Sequence, residues 1–239
     1  MNNERNRRKK MTNYLPILKK VPLFKDISEE ELIYLLACLE SQEKTYKNEE
    51  IIFKLGDAVE RIGIVLEGRV EVVKENIAGD RHIIALLEVG KLFGEGVVCT
   101  SKRLSPVTVR SRSHTKVLFV PFEKLVRSCT KGCTYHVTLI KNMMGILGEK
   151  NYYLNQKMDY LVLKGMRQKL ATYLLDEASS QGQEAFNISL NRNELADYLN
   201  VSRSAMCREL SRMKEEGLID YYKNGFKILD TKMLSREIE

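Results

Sequence analysis

The sequence predicts an α+β protein: an N-terminal β-domain of the barrel or jelly-roll kind, one long helix, and a C-terminal module of short helices closed by a β-hairpin. Three observations carry this. Residues 44–120 hold β-branched segments punctuated by glycine, residues 134–163 hold an unbroken helical periodicity, and residues 190–228 hold two short amphipathic helices followed by a hairpin signal. A chain of 239 residues with 44% hydrophobic content is long enough for two cores. The expected divisions are 14–133 for the roll, 134–164 for the long helix and 165–239 for the C-terminal domain.

The first element is a helix over 29–40. Leu32, Leu35, Leu36 and Leu39 recur at three- and four-residue steps, with Ser28 as cap and Glu31 completing a capping box. Strands are then expected at 51–53, 62–66, 70–73, 83–87 and 117–120, with glycines at 56, 63, 68, 79, 90 and 94 between or within them. An antiparallel all-β domain protects its edges by closure or double-sheet packing, so a barrel or jelly roll with an interior pocket is expected. A brief helix after Pro121 leads to Gly132 and the long helix.

In that helix Ile140, Met144, Leu147, Asn151, Leu154, Met158 and Leu161 alternate by four and three, the a/d repeat of a two-stranded coiled coil. A homodimer is expected, with packing of the helix on its own domain alone as the other reading. Asn151 is its one polar member, read either as a register-fixing buried amide or as an ordinary surface residue. Gly165 suggests a hinge, and Leu170, Leu174 and Leu175 begin another helix ended by the polar segment 179–183.

Asn191 then caps a helix with Glu194 three residues on and Leu195, Ala196 and Leu199 inward. Val201 plugs a tight turn, Ser202 caps a second helix, and Ala205, Met206, Leu210 and Met213 form its inner face. This is a helix-turn-helix whose outer face carries Arg203, Ser204, Cys207, Arg208 and Arg212, cations and hydroxyls suited to base edges. Residues 221–228 read as strand, type I′ turn at Asn224-Gly225, strand: a wing.

Charge adds little. The net +7 comes largely from the first twenty residues, where seven Lys and Arg face one Glu, whereas residues 164–239 hold twelve basic and twelve acidic residues. The basic start is read as a solvated tail, with auxiliary contact to DNA phosphate as the other option. No apolar run approaches the roughly 18 residues of a membrane span, and the polar, basic start carries no export signal. A cytoplasmic location and no membrane partner are expected, and the five irregularly spaced cysteines are read as reduced thiols.

The run LNRNELADYLNVSRSAMCRELSRMKEEGLI at 190–219 resembles the winged helix of the Crp/Fnr family of transcription regulators. GIVLEGRVEVV at 63–73 and KLFGEGVV at 91–98 resemble that family's cyclic-nucleotide-binding-type β-roll, so the likeness spans about 14–230. It implies a non-enzymatic homodimer that binds a near-palindromic operator in double-stranded DNA, works with RNA polymerase and answers to a small effector. Arg203 and Arg208 fall at the positions that contact phosphate and guanine, while Arg192, Asn193 and Ser202 fall at phosphate-anchoring positions. Ser204 stands where the prototypes carry a glutamate, so the half-site should differ.

The resemblance also implies an effector pocket at Gly94, Glu95, Ser105, Leu154 and Asn155. Here the chain departs from the cyclic-AMP binders, whose Arg-Ser pair neutralises the cyclic phosphate. Ser105 is kept, its arginine partner is Leu104, and Arg103 lies one place away, which in a strand reverses the face. Leu154 and Asn155 replace the two hydroxyl residues that meet adenine. The effector is therefore expected not to be cyclic AMP.

Other readings rest on thinner patterns. Cys129, Cys133 and His136 could form part of a redox or metal site, but no second ligand pair accompanies them and nothing resembles Fnr's cysteine cluster. No metal is expected. A barrel metalloenzyme would need convergent His and carboxylates, whereas His82 is placed in a strand and His114 in a loop. A dimer whose winged helix binds protein instead of DNA is the remaining class.

Overall fold

The computed structural model describes residues 13–75, 81–127 and 134–238. The chain divides into two compact units between Glu149 and Lys150, a point inside the long helix.

The first unit opens with α1 (Leu15–Leu18), a turn of 3-10 helix and α2 (Glu29–Cys38). The expected capping box forms: Ser28 Oγ accepts from the Glu31 amide at 3.3 Å, and Glu31 accepts from the Ser28 amide at 2.9 Å. Strands β1 (Gln42–Tyr46), β2 (Ile51–Phe53), β3 (Arg61–Glu67), β4 (Val70–Glu75), β5 (Arg81–Leu87) and β6 (Leu92–Phe93) lead to α3 (Glu95–Val98). β7 (Thr108–Ser111), β8 (Thr115–Pro121) and α4 (Phe122–Val126) follow, then α5 (Thr134–Val162). Two antiparallel four-stranded sheets result, ordered β1-β8-β3-β6 and β2-β7-β4-β5.

β3 and β8 are buried on both faces, which explains why their sequences read as continuous apolar runs. Ile62, Ile64, Leu66, Leu118 and Val120 pack with α1, α2 and the first part of α5 through Leu139 and Met143. The alternate residues Val65, Val117 and Phe119 join Tyr46, Val70, Phe93 and Val109 between the sheets. Rings fill that interior, with Phe53 to Phe93 at 6.0 Å and Phe93 to Phe119 at 6.3 Å. Phe93 lies so close to Gly63 that a Cβ there would stand 2.2 Å from its Cζ.

The second unit starts with the end of α5 and continues, after the break at residues 163–165, with α6 (Met166–Gln181), β9 (Ala185–Asn187), α7 (Arg192–Leu199) and α8 (Arg203–Glu215). β10 (Ile219–Tyr222), β11 (Gly225–Ile228) and α9 (Thr231–Arg236) complete it. Two expectations are corrected. The polar residues 179–181 remain helical, and α6 stops only at Gly182 in the left-handed region (φ +65°), which glycine adopts without strain. β9, absent from the sequence reading, pairs with β11 and makes the wing a three-stranded sheet of order β10-β11-β9.

The break at Gly165 is bridged. Tyr160 before it donates to Asp176 Oδ2 at 2.8 Å and lies against Tyr173 and Tyr198 at 6.0 and 5.4 Å between ring centres. Tyr153 adds a further contact to Tyr198 at 5.6 Å. A swing confined to Gly165 must therefore disrupt this tyrosine cluster.

Candidate nucleic-acid interface and effector site

α7 and α8 form the helix-turn-helix. The cap of α7 matches expectation: Asn191 Oδ1 accepts from the amides of Asn193 and Glu194 at 2.9 and 3.1 Å, and Glu194 accepts from the Asn191 amide at 2.7 Å. Asn200, left-handed at φ +53°, ends the helix, and the buried Lys169 donates to the Leu199 carbonyl at 3.1 Å. A cation at a helix C-terminus satisfies an orphan carbonyl and the macrodipole together. In α8, Met206, Leu210 and Met213 are fully buried, while Arg203, Ser204, Arg208 and Arg212 are exposed. Cys207 departs from the outward set, being half-buried against the core.

Ser202 occupies the N-cap position of α8, but its hydroxyl makes no capping bond and instead lies 3.0 Å from Ser204 Oγ. The first amides of α8 thus lack a side-chain acceptor, the arrangement that favours a phosphate oxygen. α8 is anchored from behind by Arg167, whose Nε donates to Glu209 at 2.6 Å and whose terminal nitrogens donate to Glu216 at 2.7 and 2.8 Å. Those carboxylates hold the Arg167 guanidinium above the usual arginine range, and Arg167 in turn depresses Glu216. Nothing in the spacing of Arg167 and Glu209, 42 residues apart, announces this pair.

The wing turn also differs from the expected type I′ Asn-Gly turn. Tyr222 pairs with Gly225, so the two loop residues are Lys223 and Asn224, and only Lys223 is left-handed (φ +51°). The carbonyls of both are occupied: Lys223 O accepts from Arg192 Nη2 at 2.7 Å, and Asn224 O accepts from the Ile188 amide at 3.0 Å. Arg192 is accordingly turned toward the wing, not outward as a phosphate anchor, whereas Asn193 and Ser202 are exposed.

In the first unit, Gly94 adopts φ +82° and starts α3, whose first residue Glu95 is 4% exposed. Ser105 is buried, and its hydroxyl donates to Val107 O at 2.6 Å while accepting from the Val107 amide at 3.3 Å. Arg103 pairs with Glu123 at 2.8 Å and lies over the Phe122 ring, while Leu104 is exposed. A cavity of about 260 Å³ lined by Lys44, Tyr46, Phe53, Arg61 and Phe119, among others, includes none of the expected pocket residues. Leu154 and Asn155 are exposed on the part of α5 that belongs to the second unit.

Along α5, Met144, Leu154, Met158 and Leu161 are 69, 57, 60 and 47% exposed, and Asn151 is exposed. Ile140 and Leu147 are half-buried against the first unit's own core. Cys129 and Cys133 lie outside the described residues, and His136 is buried. Among the described residues no group of three potential ligands is close enough to hold a metal, and no helix is long and apolar enough to cross a membrane.

A β-roll of the effector-binding type, followed in the chain by a long helix and a winged helix-turn-helix, defines the class of transcription regulators with that domain order. Family profiles agree: the cyclic nucleotide-binding domain matches residues 43–131 and the Crp-like helix-turn-helix domain matches 168–237. The transcriptional activator protein FnrA of Stutzerimonas stutzeri is 25% identical over 190 residues, 77% of this chain and 75% of that protein. The cyclic AMP receptor protein of Thermus thermophilus is 26% identical over 203 residues, 84% of this chain and 89% of that one. The fold is also that of the Thermus thermophilus catabolite activator protein, with a TM-score of 0.52 at 23% identity, covering 91% of this chain and 98% of that structure. The chain belongs to the Crp/Fnr family of transcription regulators.

Proposed function

We propose that two copies of this chain pair along α5 and together bind a near-palindromic DNA operator, each placing the N-terminal half of α8 in a major groove. The carrying observation is the division of α8 into a fully buried apolar stripe and an exposed row of Arg203, Ser204, Arg208 and Arg212. A four-residue apolar face left exposed at Met144, Leu154, Met158 and Leu161 supports pairing, because a second copy would remove it from water. Arg208 reads a guanine through a bidentate fork, and Arg203, Asn193 and Ser202 hold phosphates. RNA polymerase is the expected protein partner, as the family resemblance implies.

The effector is a small molecule other than cyclic AMP, acting on the roll near Gly94, Glu95 and Ser105. The Thermus relative is a cyclic AMP receptor by name. In this chain the residue at the clamp position is Leu104, the adjacent Arg103 is engaged by Glu123, and Ser105 is satisfied by Val107. None of these offers a free charge to a cyclic phosphate. Effector binding shifts an existing equilibrium between docking-competent and incompetent pairs. Gel-shift titration against duplexes from a randomised pool tests the reading: saturable, sequence-dependent binding by a dimer supports it, and indifference to sequence contradicts it.

A further inference from the structure

Arg192 stands in α7 at a position that sequence alone assigns to phosphate, yet its guanidinium is committed within the protein. It lies 4.8 Å from the centre of the Phe226 ring and 5.3 Å from that of Tyr221. Nη2 donates to the Lys223 carbonyl at 2.7 Å, and Nη1 is buried with no hydrogen-bond partner among the described residues. Burial pulls the guanidinium below the usual arginine range, the signature of a cation removed from water. A group so placed has little left to give a DNA backbone.

What it holds is informative. Lys223 is a non-glycine residue in the left-handed region, a conformation that costs free energy unless its surroundings enforce it. The Arg192 bond falls on that residue's own carbonyl. Lys223 itself is exposed at the wing tip, with its ammonium 5.4 Å from the ring of Tyr222, which is 78% exposed. We propose that Arg192 is a positioning residue for the wing: it fixes the left-handed turn so that Lys223 contacts a DNA phosphate, and makes no phosphate contact itself. This rests on the DNA-binding reading above.

The test uses the full chain and a duplex selected by it from a random pool, with affinity measured across a range of salt concentrations. Each lost phosphate contact reduces the slope of log affinity against log salt by about 0.9. Lys223→Gln, on an exposed turn, removes one contact from each of the two half-sites and is expected to lose two such steps. Arg192→Gln is expected to lose the same two steps, and the double variant no more than either single one, because both remove the same contact in each half-site. Misfolding lowers the active fraction without changing the slope, so the readout separates positioning from damage. Arg192→Lys keeps a charge that could reach phosphate but lacks the planar fork that stacks and bonds to Lys223, so it is expected to behave as Arg192→Gln. A double variant losing four steps, an Arg192→Lys protein with the original slope, or a Lys223→Gln protein with no change would each overturn the proposal. Failure of the unsubstituted chain to bind any duplex would instead sink the parent reading.

Discussion

Arg208 and Arg192 are both arginines of the helix-turn-helix, and their surroundings differ: the first is exposed, whereas the second is held against the wing. Arg208 is exposed on α8, so its fork is free for the O6 and N7 acceptors of a guanine. Arg208→Ala is expected to cost about 1–3 kcal/mol of binding and to relax preference at one base position, as measured by affinities for a set of single-base operator variants. An equal loss on every sequence would contradict base reading. A second residue-scale prediction concerns Glu71, which is 1% exposed and accepts from Arg110 at 2.6 and 2.7 Å, with Arg112 at 3.5 Å. Glu71→Ala removes the buried carboxylate and leaves Arg110 and Arg112 with Glu49 alone, at 3.0 and 2.9 Å, so it is expected to cost about 2 kcal/mol in denaturant unfolding. The exposed row on α8 was legible from helical periodicity. The fate of Arg192 was not, because Tyr221 and Phe226 reach it from two paired strands some thirty residues downstream and no local pattern records their approach.

Among the elements, those with strong local chemistry were read well. The capping boxes at Ser28 and Asn191 form as their spacing requires, and the long helix runs over Thr134–Val162. β9 escaped notice because three residues, Ala-Phe-Asn, carry no alternation, and its pairing with β11 is set by tertiary contact. That same pairing, with the bonds to Lys223 and Asn224, displaces the wing turn from the Asn-Gly dipeptide whose local preference is strongest. Two predictions belong here. Tyr160→Phe removes the bond to Asp176 across the Gly165 break and is expected to destabilise the second unit by about 1 kcal/mol, read by thermal unfolding. Gly63→Ala forces a methyl into Phe93 and is expected to cost about 2 kcal/mol through overpacking of the roll interior, read in the same way.

For the molecule as a whole, sequence order alone pointed to a roll, a long helix and a winged helix, and the fold has that arrangement. The effector was the least legible feature. Its expected pocket draws on residues from both units, and the sequence shows which groups of a phosphate clamp are replaced without naming what takes their place. Calorimetry with cyclic AMP is expected to give no saturable heat, while micromolar binding would show that a clamp exists outside Leu104 and Ser105.

The central claim is that two copies act together on one duplex, and selection of bound sites from random DNA by the purified chain, with candidate effectors present, tests it most directly. The account predicts enrichment of a near-palindrome whose half-sites are centred about 10 base pairs apart, bound by two chains. Enrichment of a single unrepeated half-site, or recovery of no preferred sequence at all, would contradict it.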